Sequence, residues 1–152
     1  MKKSQRIKNI VDIKAGQEKN ALEALGAAQS KLVSMQAQVE GLRSYRREYQ
    51  DKFNRLGSGG VNISQLLEFR SFIDKLDKAI AGQQQVLSSI EVELVGKRKT
   101  WEELHRKTQS LQKVCDSARG VEMKQEEKRE QLEQDERASR NGRNNSGGMG
   151  RA

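Results

Sequence analysis

Apolar residues recur at alternating spacings of three and four along most of the chain, and one glycine cluster divides them into two segments. The first segment carries Leu25, Ala28, Leu32, Met35, Val39, Leu42, Tyr49, Phe53 and Leu56, with Arg46 in the single polar slot. The second carries Leu66, Phe69, Ile73, Leu76, Ile80, Leu87, Ile90, Leu94, Trp101, Leu104, Leu111, Cys115 and Ala118, interrupted by Gln83, Lys97 and Thr108. A heptad kept up over this length turns one narrow stripe of a helix toward a partner helix. Between the segments stands Gly57-Ser58-Gly59-Gly60, then Val61 and Asn62, an N-cap residue with Gln65 three places on. The pattern predicts a helical hairpin with its turn at 57–62.

Folding the chain at the glycines tests that reading, because facing residues in an antiparallel pair have numbers that add to a constant. The constant is 122. It places Leu56 opposite Leu66, Phe53 opposite Phe69, Tyr49 opposite Ile73, Leu32 opposite Ile90 and Ile7 opposite Cys115. Small residues meet large ones, Ala28 with Leu94 and Ala21 with Trp101, as interdigitated layers require. Carried to Ser4 with Ala118, the register holds 32 positions, of which 25 are apolar. The fold class predicted is all-α, a long antiparallel two-helix coiled-coil hairpin over 1–137 with a disordered basic C-terminal tail over 138–152. At about 1.5 Å per residue the first arm would run about 80 Å. Lys14 with Thr108 and Glu18 with Leu104 form polar layers that should be loose. From about 119 to 137 the second arm has no partner and should project as a lone helix.

Composition agrees with a thin seam. The 152 residues contain no proline, 34% are hydrophobic and 33% charged, too few apolar side chains to fill a thick core. No apolar run approaches the eighteen or more residues of a membrane span. The basic start Met1-Lys2-Lys3 is not followed by an apolar stretch, so a cytoplasmic location is expected. Cys115, a single cysteine, fits a reducing compartment and reads as a small buried hydrophobe. Catalysis has little to stand on, with one histidine, no metal-ligand spacing and no phosphate-cradling glycine loop. We expect neither an enzyme nor a cofactor.

Five of the six aromatics lie between positions 45 and 72. Tyr49, Phe53 and Phe69 sit on the seam, whereas Tyr45 and Phe72 are g positions that flank one side of it, with Ala79 and Gln38 on the same flank. Rings beside a small residue on an exposed edge have the composition of a partner-binding patch. Basic residues gather toward the other end. Lys2, Lys3, Arg6, Lys8, Lys14 and Lys19 lie in the first arm, Lys97, Arg98, Lys99, Arg106, Lys107 and Lys113 in the second, and Arg140, Arg143 and Arg151 in the tail. That surface could follow nucleic-acid phosphates, enter an acidic protein cavity or keep the hairpin soluble.

The run from Gln38 to Tyr49, with Leu42-x-x-Tyr45-x-x-x-Tyr49, and the run from Phe69 to Ile80, with Phe72-x-x-x-Leu76-x-x-Ala79, resemble the flagellar FliJ family of type III export proteins. The resemblance covers roughly residues 5–135 and is most specific between Gln38 and Gln83, a position where relatives can carry histidine. It implies a stalk similar to the rotary-ATPase gamma subunit, whose open end enters and activates a hexameric FliI-like export ATPase. It further implies a contact with the cytoplasmic domain of the FlhA-like export-gate membrane protein, handling of flagellar export chaperones, and a cytoplasmic place at the inner membrane of the flagellar base without insertion into it. The gate-binding residues it implies are Gln38, Leu42, Tyr45, Tyr49, Phe72, Leu76 and Ala79. Set against the basic end, it makes Arg6, Lys8, Lys14, Lys97, Lys99, Arg106 and Lys107 the candidates for the ATPase ring. The competing readings are a nucleic-acid-associated coiled coil, which a steep salt dependence of binding would reveal, and a purely structural one.

Overall fold

A computed structural model describes residues 1–57, 59–60 and 62–148. It consists of two helices, α1 (Lys3–Gly57) and α2 (Ile63–Gly148). The chain divides into two compact units, Met1–Gly16 with His105–Ala152, here the terminal unit, and Gln17–Leu104, here the turn unit. The division falls between the two polar layers, Lys14 with Thr108 and Glu18 with Leu104.

In the turn unit the two helices pack antiparallel on the register read from the sequence. Val39, Leu25, Ala28, Ile90, Phe69, Ile73 and Leu76 are buried, each on a seam position. Every other seam residue of the unit is half-buried except Leu56 and Leu66. A core one side chain wide still stabilises substantially, since covering a large aliphatic or aromatic side chain contributes about 1.5–3 kcal/mol. Phe69, Ile73 and Leu76 form a buried cluster, against which Tyr49, Phe53 and Phe72 pack. Phe53 stacks on Phe69 at 3.7 Å between ring centroids, and this layer closes the seam. Leu56 and Leu66, expected as the last layer, are exposed, because beyond Phe53 the chain leaves the seam to make its turn.

The turn is built as its residues demand. Gly59 N–H donates to the Leu56 carbonyl at 3.0 Å, drawing in the end of α1. Gly60 takes φ +84°, a conformation that side chains with a Cβ rarely adopt. Asn62 Oδ1 then accepts from Gln65 N–H at 2.8 Å and its carbonyl from Leu66 N–H at 3.1 Å, the N-cap expected for α2. Ser58 and Val61, also assigned to the turn, lie outside the described residues.

In the terminal unit the same register holds. Ser4, Val11 and Cys115 are buried, and Ile7, Lys14, Thr108, Leu111 and Ala118 are half-buried. Cys115 Sγ lies 3.6 Å from the Ser4 carbonyl. α2 runs on to Gly148, into the stretch assigned to the basic tail. Residues 127–146 are exposed throughout, so this stretch is held by its own turns and by local pairs such as Arg140 with Glu136 at 3.9 Å. Helix-favouring residues upstream supply a nucleus from which further turns propagate cheaply. Met149–Ala152, the end of the expected tail, lie outside the described residues.

Candidate protein-interaction surface

The off-seam flank of the turn unit carries the aromatic group. Tyr45, at a g position of α1, is 49% exposed, and its ring meets Phe72 of α2 edge-on, with centroids 6.1 Å apart and planes at 78°. Phe72 also leans on Tyr49 at 4.4 Å, and Tyr49 stacks on Phe69 at 5.3 Å. The rings therefore form a continuous series from the buried seam to the surface. The edge-on pairing sets the positive rim of one ring against the negative face of the other.

The structure brings the sequence-assigned residues together to different degrees. Tyr45, Gln38 and Ala79 are exposed; Leu42, Tyr49 and Phe72 are half-buried. Leu76, at 8% exposure, belongs to the seam core. Arg46, the polar seam residue opposite Leu76, turns its guanidinium to Asp77, with Nε donating to Oδ1 at 2.5 Å and Nη2 to Oδ2 at 3.4 Å. These bonds raise the Arg46 pKa further and keep the group charged. Asp77 is an e residue, so the ion pair lies on the flank away from Tyr45 and Phe72, and the two flanks differ in character. Gln83, the next polar seam residue of α2, buries its Oε1 without a hydrogen-bond partner among the described residues. Beside the turn, Tyr49, Phe53, Leu56, Gln65, Glu68 and Phe69 are among the residues lining an open groove of about 540 Å³.

The basic candidates fall in both units. Lys97 and Lys99 belong to the turn unit, where Lys97 is a half-buried seam residue paired with Glu93 at 3.6 Å and Lys99 is exposed. Arg6, Lys8, Lys14, Arg106 and Lys107 belong to the terminal unit. Arg6, Lys8, Arg106 and Lys107 are exposed and Lys14 is half-buried; Arg6 Nη2 donates to the Met1 carbonyl at 3.2 Å.

One residue of this unit was not singled out from the sequence. Glu122 accepts both from Ser4 N–H at 3.0 Å and from Ser4 Oγ–H at 2.5 Å, fastening the first turn of α1 to α2. The Ser4 hydroxyl and amide hold the Glu122 carboxyl below the usual carboxylate range, against a smaller opposing effect of burial, and Lys2 and Arg119 add to the lowering. A carboxylate at a helix N-terminus is also favoured by the unpaired amides there. The signal was present, since Glu122 is the next heptad position after Ala118, where α1 has only its N-terminus to offer.

Among the described residues no group of three or more His, Cys, Asp or Glu could hold a metal ion, and no helix is long and apolar enough to cross a membrane. Two long helices packed against each other through apolar heptad positions define a coiled-coil protein. The chain belongs to the FliJ family: a family profile described as Flagellar FliJ protein matches residues 2–147, nearly the whole chain. Proteins of that family are non-catalytic coiled-coil components of flagellar protein export in the cytoplasm, associated with the export ATPase complex. No curated protein and no solved structure matches the chain.

Proposed function

We propose that this chain is the stalk of the flagellar export ATPase, entering the hexameric ring with its terminal segments, activating it, and linking it to the cytoplasmic domain of the export-gate membrane protein while helping to handle export chaperones. The observation that carries this reading is the exposed Tyr45 ring set against Phe72 on one flank of the seam, at positions where the family resemblance implies gate contact. Large rings gain much by losing water at an interface, and Tyr45 has half its surface left to lose. The basic side chains Arg6, Lys8, Arg106 and Lys107 support the ring contact, as a positive surface suited to an acidic pore. Gate binding is tested by titrating the gate's cytoplasmic domain with the wild type and Tyr45→Ala. The variant binds about tenfold or more weakly with unchanged helicity. Equal binding by both chains rules out the flank as the gate contact.

A further inference from the structure

The flank that carries Tyr45 and Phe72 continues beyond Ala79. On the register of this unit the g positions interleave along one edge in the order Phe72, Tyr45, Ala79, Gln38 and Val86. Val86 is 44% exposed, two helical turns beyond Ala79, and is the next apolar side chain on that edge. None of these five positions is charged. Lys52 precedes them at one end, and Lys31 with Glu93 follows at the other. The outward rows beside the Val86 half are small, with Ser34 and Gly41 on α1 and Gly82 and Ser89 on α2. A Cβ built on Gly41 or Gly82 meets nothing within 4 Å, so neither glycine is required by packing inside the chain. The Ser89 hydroxyl is turned back onto the Gln85 carbonyl at 3.2 Å. The edge is thus a platform with an aromatic end and an end bordered by small residues.

We infer that this platform is one continuous docking strip ending at Val86, and that Val86 and the small rows beside it determine which partner surface fits. The inference rests on the reading that this flank meets the export gate. The partner face is apolar and uncharged opposite Ala79 to Val86, and it offers the Tyr45 hydroxyl a hydrogen-bond acceptor. A second copy of the chain suits the strip poorly. Its edge offers five side chains, from Phe72 to Val86, against roughly 20–30 residues per partner in a standard stable interface. A strip of that length fits the patch by which a monomer makes one transient contact.

The test uses the full chain and the cytoplasmic domain of the gate protein in a calorimetric titration, with mass measured by light scattering. Val86→Asp places a charge on the strip, and Gly82→Lys raises an obstacle beside it while improving helix propensity. Val95→Asp, exposed in the same unit but off this edge, is the control. The expected result is about tenfold weaker binding for Val86→Asp and Gly82→Lys, alongside Tyr45→Ala, with the control within about twofold and all chains monomeric. If Tyr45→Ala weakens binding but Val86→Asp and Gly82→Lys do not, the strip ends at Ala79 and this inference is wrong while the gate reading stands. Failure of Tyr45→Ala as well removes the gate reading and the inference with it. A wild-type dimer that Val86→Asp converts to monomer makes the occupant a second copy and overturns the proposal.

Discussion

Phe72 and Tyr45 touch each other, yet their burial assigns them different energetic roles. Phe72 packs on the Phe69, Ile73 and Leu76 cluster, so Phe72→Ala should lower unfolding free energy by about 1–3 kcal/mol, less than a fully buried ring would cost. Tyr45→Ala should stay within about 0.5 kcal/mol. Urea unfolding of the two variants separates them, and equal losses would mean that Tyr45 is core as well. Gln83 presents the opposite case, a half-buried amide whose Oε1 lacks a partner on a seam of Ile and Leu. Gln83→Leu should stabilise by about 1–2 kcal/mol in the same experiment, and a loss of stability would show that the amide is satisfied after all. Glu122 gives a pH-dependent prediction. Its carboxyl binds protons less readily folded than unfolded, so the stability it adds is present at neutral pH and is lost as pH falls through its lowered pKa. A carboxyl titration by NMR should find the Glu122 midpoint below that of a solvated glutamate, and Ser4→Ala should raise it; an unmoved midpoint would deny the clamp.

At the scale of the helices, most of the structure was written in the spacing of apolar residues. The register constant of 122 anticipates every buried position, because a two-helix seam has no other core and each seam residue must face the partner helix. Features set by chain ends were less legible. The exposed Leu56 and Leu66 layer depends on how the backbone leaves the seam at Gly59 and Gly60, which heptad phase does not encode. The Glu122 clamp likewise depends on where α1 stops. The candidate surface was legible as far as heptad phase reaches, through Tyr45, Phe72, Ala79 and Gln38. The depth of each side chain was not: Leu76 lies in the core, and only the packed structure separates it from exposed Tyr45. Gly26 and Gly96 stand in helix interiors with open space where a Cβ would go. Changing both to alanine should stabilise by about 0.5–1 kcal/mol each, read as a rise in the thermal midpoint, and no rise would mean that another constraint holds these positions.

For the whole molecule, the proposed function gives one chain two duties, with the flank of Tyr45 and Phe72 for the gate and the basic side chains for the ATPase ring. Reversing the exposed cations Lys99 and Arg106 to glutamate should abolish stimulation of the export ATPase while leaving gate binding near wild type, since neither lies on the edge from Phe72 to Val86. Lys97 is less informative, because as a half-buried seam residue paired with Glu93 it also affects packing. The central claim is that both partners are held at once. Sedimentation velocity of the chain mixed with the export ATPase and the gate's cytoplasmic domain tests this most directly. One boundary containing all three proteins is expected; two separate binary complexes, with each partner displacing the other, would contradict simultaneous binding.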